Sequence, residues 1–168
     1  VVRYQGFQWY NAPMIVNYAS KSKEVWDRPC PIFIRSIAME GGMGPVAGSS
    51  HHSLYQRMPG TKILSPMSPS EYRFVYESFM GDDDVYYISE HRRSYDNTEE
   101  LLDVIVEDSD VVLFPIGITR FDSIVAREML AERGIKASIV NLLWIKPFKF
   151  LDEWKDILNK SKYGGIVL

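Results

Sequence analysis

Short apolar runs alternate with amphipathic stretches along the whole chain, and that rhythm leaves few folds open. Val111–Ile116 (VVLFPI) is almost continuously apolar, as a parallel strand covered on both faces requires. Arg120–Arg133 follows as an amphipathic helix, with Phe121, Ile124, Val125, Met129 and Leu130 inward and Gly134 placed to end it. Ala137–Trp144 reads as the next strand, Phe150–Lys160 as the next helix, and Ile166–Leu168 as the start of another strand. The first half repeats the pattern. Asn11–Trp26 reads as a helix capped by Asn11, with Pro13 in its first turn and Ile15, Tyr18, Ala19 and Val25 on one face. Ile32–Ala38 is a buried strand, His51–Arg57 a short helical turn and Lys62–Leu64 a short strand. Ser68, Pro69 and Glu71 mark a helix start with a capping box, and Tyr72, Val75, Tyr76 and Phe79 share one side before Gly81 stops it. Val85–Ser89 is then a strand. Such alternation predicts an α/β fold built from doubly wound parallel-sheet units. The polar stretch Arg92–Asp110 separates two of them, and Leu101–Val106 fits either a short helix or a strand.

Composition narrows the function classes. With 168 residues, 46% of them hydrophobic and 24% charged, the chain reads as globular, one ordinary domain or parts of two. A net charge of −3 without a basic patch argues against nucleic acid. The single cysteine, Cys30, makes no internal disulfide. No run of about 18 apolar residues offers a membrane span, and the opening VVRYQGFQWY is not a secretory leader. A start without Met and an end on Gly-Gly-Ile-Val-Leu give the expectation of a fragment.

Chemistry concentrates between Glu40 and Ser53, where EGGMGPVAGSSHHS follows a strand and ends in two adjacent histidines. Ligands of open α/β sheets lie at such carboxyl ends of strands. Gly42, Gly44 and Gly48 do not make the dinucleotide fingerprint, and Gly-Lys-Ser/Thr is absent. The loop is therefore either a ligand loop of another kind or a plain surface loop. His51 and His52 are adjacent, so their side chains diverge. One of them acting as acid, base or hydrogen-bond donor fits better than both, and loop histidines without a role are the alternative. Gly81-Asp82-Asp83-Asp84 reads as a solvated acidic turn rather than a metal site. Glu90-His91-Arg92-Arg93 lies at a strand's carboxyl end, on the same edge as the glycine loop if the strands are parallel; salt-bridged surface residues are the plainer reading. Tyr4, Phe7, Trp9 and Tyr10 are core packing or a stacking surface for a flat ring.

Taken in order, these segments resemble the thiamine-diphosphate enzymes of the transketolase-like group, and above all the β subunit of pyruvate or branched-chain 2-oxo acid dehydrogenases. YQGF and IVNYASK resemble that family's aromatic strand end and following helix. The glycine loop with SHHS, then PGTKILSP, EHRRSY, SDVVLFPIG, LAERGIKASIVNLLWIKPF and GGIVL continue the series. The resemblance implies that residues 1–95 are the later part of a pyrimidine-binding domain, 96–109 a linker, and 110–168 most of a transketolase C-terminal domain. It implies thiamine diphosphate with Mg²⁺, held mainly by an α-type subunit or domain carrying Gly-Asp-Gly and a downstream Asn. It makes Tyr4 or Phe7 the packing surface for the pyrimidine ring and His52 the substrate-channel histidine, with His51 as substitute. The pyrimidine-facing glutamate is expected upstream of Val1. The implied activity is decarboxylation of a 2-oxo acid with acyl transfer to a lipoyl-bearing acyltransferase, in a homodimer or heterotetramer of the cytoplasm, or of the mitochondrial matrix in a eukaryote. Transketolase or deoxyxylulose-phosphate synthase-like two-carbon transfer is one alternative, and a noncatalytic subunit that keeps the fold is another. Leu54 and the short run from His52 to Pro59 depart from the family pattern and leave the substrate open.

Overall fold

A computed structural model describes all 168 residues. Two sheets form. The first has the order β1 (Phe33–Ala38), β3 (Val85–His91), β2 (Thr61–Leu64) and β6 (Trp144–Lys146), with β1, β3 and β2 parallel and β6 antiparallel to β2. The second has the order β5 (Ala137–Ile139), β4 (Val111–Phe114), β7 (Gly165–Val167), all parallel. Each sheet is covered on both faces, which is the doubly wound arrangement the sequence predicts.

Alternation along β3 shows why. Every residue of this central strand is buried, yet successive side chains serve opposite layers. Val85 and Tyr87 join Ile34, Ile63, Tyr55 and the helix residues Ile15 and Ala19. Tyr86 and Ile88 join Leu64 and Val75 of α4 (Pro69–Met80). In the second sheet, Val111, Leu113 and Ile139 pack beneath Leu130 of α5 (Thr119–Ala131). On the opposite face Val112, Phe114 and Val140 meet Trp154, Ile157 and Leu158 of α6 (Asp152–Lys160).

Three expectations need correction. The first helix begins at Gln8, out of a 3₁₀ turn over Gln5–Phe7, so Asn11 caps nothing and Pro13 lies inside α1 (Gln8–Met14). Proline removes a backbone donor from the ladder, and the next residues, Ile15–Ala19, form a π turn before α2 (Ser20–Trp26). That wider turn alters the helical face: Ile15 and Ala19 are buried, whereas Tyr18 and Val25 are exposed. Second, Ala137–Trp144 is not one strand. β5 stays in the second sheet, and the chain then crosses to the first, where Trp144–Lys146 becomes β6. Third, Leu101–Val106 is neither helix nor strand, apart from an antiparallel bridge between Val104 and Ile139.

The face of α5 also differs from its apolar pattern. Ile124, Val125 and Met129 are exposed, while Arg120 and Ser123 are buried. Arg120 sets this rotation. Its Nη1 donates to Glu71 Oε2 (2.7 Å), its Nε to Asn141 Oδ1 (3.1 Å) and its Nη2 to the Leu101 carbonyl (3.3 Å). Glu71 is also the capping-box residue of α4, accepting from the backbone N–H groups of Met67 (2.9 Å) and Ser68 (3.3 Å). One ion pair, buried at the guanidinium and part-buried at the carboxylate, thus joins a helix start in the first unit to a helix start in the second. Removing one member of such a pair strands the other, at a cost of about 3–5 kcal/mol. Arg120→Ala is expected to lower unfolding stability by that amount in urea titrations; a loss below about 1 kcal/mol would show that the pair does not hold the units together.

Candidate functional site

The carboxyl ends of β1 and β3 open into a cleft of about 630 Å³ between the two units. Parallel register places Ala38 beside His91, so the glycine loop after β1 and the segment after β3 share one edge. The far wall comes from Ile116–Thr119 and Asp122 of the second unit. This is the position at which open α/β sheets take ligands.

The glycine loop is compact around a single helical turn, α3 (Pro45–Gly48). Gly48 N–H donates to Gly44 O (2.8 Å), and Met39 N–H donates to Gly48 O (3.0 Å). A Cβ on Gly48 would lie 2.9 Å from Met43 O and 3.0 Å from Met39 O, and one on Gly6 would lie 2.0 Å from Val46 O. These two glycines therefore serve close backbone contact within the protein.

Gln5 organises the site and left no signal in the sequence. It is fully buried. Its Nε2 donates to Ser89 Oγ (2.8 Å) and Ser36 O (3.3 Å), and its Oε1 accepts from His51 N–H (2.6 Å) and the Tyr87 hydroxyl (3.1 Å). One amide thereby ties the N-terminal turn, β1, β3 and the histidine pair together, using both its donor and acceptor capacity.

The two histidines diverge as their adjacency requires. His52 lines the cleft. His51 turns away, and its Nδ1 accepts from the Trp9 indole (3.3 Å). Phe7 and Trp9 are each about half exposed, at 43% and 57%. Tyr4 is buried, with Arg3 and Arg92 guanidinium groups 5.6 Å and 5.8 Å from its ring centroid. Neither Tyr4 nor Phe7 lines the cleft.

Across from His52, the Glu90–Arg93 segment is more than a charged surface. Glu90 is buried, and both its oxygens are held by Arg35, at 2.6 Å and 3.0 Å, with the Tyr95 hydroxyl donating to Oε2. This bidentate pair raises the Arg35 guanidinium above its usual value through the hydrogen bond to Glu90. His91 lines the cleft beside Glu40, with Nε2 3.4 Å from Glu40 Oε2. The acidic turn, by contrast, is largely paired: Asp82 and Asp84 both pair with Lys62, and Asp84 also with Lys23 (3.6 Å).

Burial holds His52 and His91 below the ordinary imidazole value of 6.5, against an upward pull from Glu40 on each. A group whose folded value is depressed binds fewer protons in the folded state than in the unfolded state. Stability is therefore whole above pH 6.5 and falls as pH drops below it, until the folded rings themselves titrate. Urea titrations at about pH 7.5 and about pH 5 are expected to show this loss, and His52→Gln and His91→Gln to reduce it. An unchanged loss in both variants would assign the effect to other groups.

No family model matches the chain. It is 28% identical over 159 residues to the 2-oxoisovalerate dehydrogenase subunit beta of Bacillus subtilis, covering 84% of this chain and 46% of that one. It is 25% identical over 143 residues to 1-deoxy-D-xylulose-5-phosphate synthase 1 of Geobacter sulfurreducens, covering 76% of this chain and 22% of that one. The chain thus spans less than half the length of these two relatives. Among solved structures, a split-gene transketolase described as an inactive beta4 tetramer superposes with a TM-score of 0.69 at 18% identity, over 98% of this chain and 54% of that one. No helix of the structure is long and apolar enough to cross a membrane. By sequence the chain is a homologue of the β subunits of 2-oxo acid dehydrogenases, of deoxyxylulose-phosphate synthases and of transketolases, and its fold is that of transketolase domains.

Proposed function

We propose that the chain is the pyrimidine-side and C-terminal part of a thiamine-diphosphate enzyme that breaks a carbon–carbon bond beside a carbonyl, as a β-type region of a 2-oxo acid dehydrogenase. The observation that carries this reading is the divergence of the histidine pair. His52 faces the cleft, while His51 stays on the other side of the glycine loop with Trp9.

The residues fit one half of the cofactor. The part-exposed ring of Phe7 offers a face for the aminopyrimidine, whereas the buried Tyr4 ring already has guanidinium groups against it. The other half is not provided for, since Asp82, in the stretch nearest to Gly-Asp-Gly, is paired with Lys62. An α-type subunit or domain would then hold the diphosphate and Mg²⁺. When bound, the cofactor supplies a nucleophilic carbon and an electron sink. What this chain adds is His52 as hydrogen-bond donor to the substrate, Phe7 as ring support, and cleft walls that limit water. Residues 1–95, 96–109 and 110–168 are the two domains and their linker in this reading. Exposed Tyr10, Met14, Tyr18 and Trp26 on the first helices support burial against further subunits, as large apolar patches do. Acyl transfer to a lipoyl-bearing acyltransferase completes the reaction. Two-carbon transfer between ketose-like substrates is the second reading, and the similarity to a deoxyxylulose-phosphate synthase and to a transketolase subunit supports it.

The chain by itself is expected to show no tight binding of thiamine diphosphate in calorimetry, and to bind it once its partner is present. Micromolar affinity without a partner would sink the half-site reading. In the assembled complex, His52→Ala is expected to lower kcat on the order of 10²-fold with an unchanged circular dichroism spectrum. Normal turnover there, with His51→Ala impaired instead, would move the role one residue back.

A further inference from the structure

The segment that carries His52 is a 3₁₀ turn, His52–Tyr55, and such turns are short and weakly bonded by themselves. Their bonds bring residues three apart to the same side, so His52 stands one turn above Tyr55. Whatever fixes the two ends of this turn therefore fixes how far His52 enters the cleft. The start is held within the first unit, where His51 N–H donates to Gln5 Oε1 (2.6 Å). The end is held from elsewhere.

Lys146, on β6, reaches it. Its Nζ donates to the Met58 carbonyl and lies 3.5 Å from the Tyr55 carbonyl. Carbonyls at the end of a helical turn carry partial negative charge and favour a cation. Burial lowers this amine against an upward pull from Asp84, and Asp84 is itself shared between Lys62 (3.4 Å) and Lys23 (3.6 Å). The ammonium is therefore satisfied by the turn. Tyr55 is fully buried against Tyr87, with ring centroids 5.0 Å apart, and its hydroxyl bonds to nothing in the protein. Polar anchoring of this end thus falls to the carbonyls. The same strand packs there too, since Ile145 joins Leu54 and Met58 against the core that contains Tyr55.

The chain reaches β6 from β5 of the second sheet, so this anchor spans the two units. We propose that Lys146 is a positioning residue, which sets the place of His52 in the cleft by holding the end of its turn from a strand that the second unit sends across. Joining the units is not its task, because Arg120 with Glu71 and the pairing of β6 with β2 already do so. What the ammonium adds lies at the turn. An apolar side chain of similar length would keep the packing of β6 and lose the anchor, since it offers no donor to the carbonyls. The inference rests on the proposed function for what His52 does, and not for where His52 stands.

With only three histidines in the chain, each can be followed separately by NMR. In the full chain labelled with ¹⁵N-histidine, Lys146→Met is expected to move the side-chain resonances of His52. It is expected to leave those of His91, which ends β3 and is bonded within its own segment. Lys146→Arg, which restores a charged donor, is expected to bring the His52 resonances back toward their native positions. Unmoved His52 resonances, or a shift of equal size at His91, would overturn the proposal. Lys146→Gln gives the same comparison where the methionine variant does not fold. In the assembled complex, Lys146→Met is expected to lower kcat on the order of 10-fold, and to lower it no further once His52 is replaced by alanine. A loss of the same size in the His52→Ala background would show a role independent of the histidine and would also overturn it. Normal turnover of His52→Ala, with the His52 resonances still moved by Lys146→Met, would remove the role proposed for that histidine and leave the anchor standing.

Discussion

A guanidinium shielded from water must find its partners inside the protein, and Arg120 finds them in three separate segments. Glu71 belongs to the start of α4, Leu101 to the connection between the units, and Asn141 to the chain leaving β5. The same Glu71 oxygen that accepts from Arg120 also accepts from the backbone at the helix start. Rotation of α5 and the path of the segment between the units are therefore tied to one cation, alongside the pairing of β6 with β2 that also joins the two units. Its specificity is geometric: the planar fork meets a carboxylate, an amide and a carbonyl in fixed directions.

Within the first unit a second buried network shapes the near wall. Gln5 joins the N-terminal turn to β1, β3 and the histidine pair, and Arg35 with Tyr95 pins Glu90 at the end of β3. These groups make few contacts with the cleft itself. They hold the backbone from which His52, Glu40 and His91 reach it. Rigid support of this kind is what a binding site needs if its donors and acceptors are to stay in register with a ligand.

The fold class was legible because a parallel sheet covered on both faces leaves a direct trace, the near-continuous apolar run, and helix starts leave another, as at Ser68–Glu71. Periodicity failed where one polar residue outweighed several apolar ones. The apolar face of α5 points to Ile124, Val125 and Met129, but Arg120 turns that helix by its ion pair. It failed again at Ala137–Trp144, where a single apolar run serves two sheets. The site was half legible. Adjacent histidines after a strand pointed to a loop that lines one side of the cleft, and their divergence follows from local geometry. Gln5 gave no sign, since a lone glutamine beside aromatics has no pattern, and the pairing of His91 with Glu40 joins residues far apart in the chain.

The sequence by itself determined local matters: most of the strands and helices, where α4 begins, and the tendency of two neighbouring histidines to point apart. These follow from side-chain period, capping and backbone direction, all of which act over a few residues. Tertiary structure alone decided which buried charges meet, which glycines lie against backbone, and which polar atoms are left free. Those outcomes depend on contacts between segments far apart in the chain. The glycines of the Glu40–Ser53 loop show the difference: their position after a strand suggested a ligand loop, whereas close backbone contact with Met39 and Met43 accounts for Gly48, and the approach of Val46 accounts for Gly6. The cleft face of that loop belongs to Glu40 and His52, because folding brings Glu40 beside His91 at the carboxyl ends of β1 and β3.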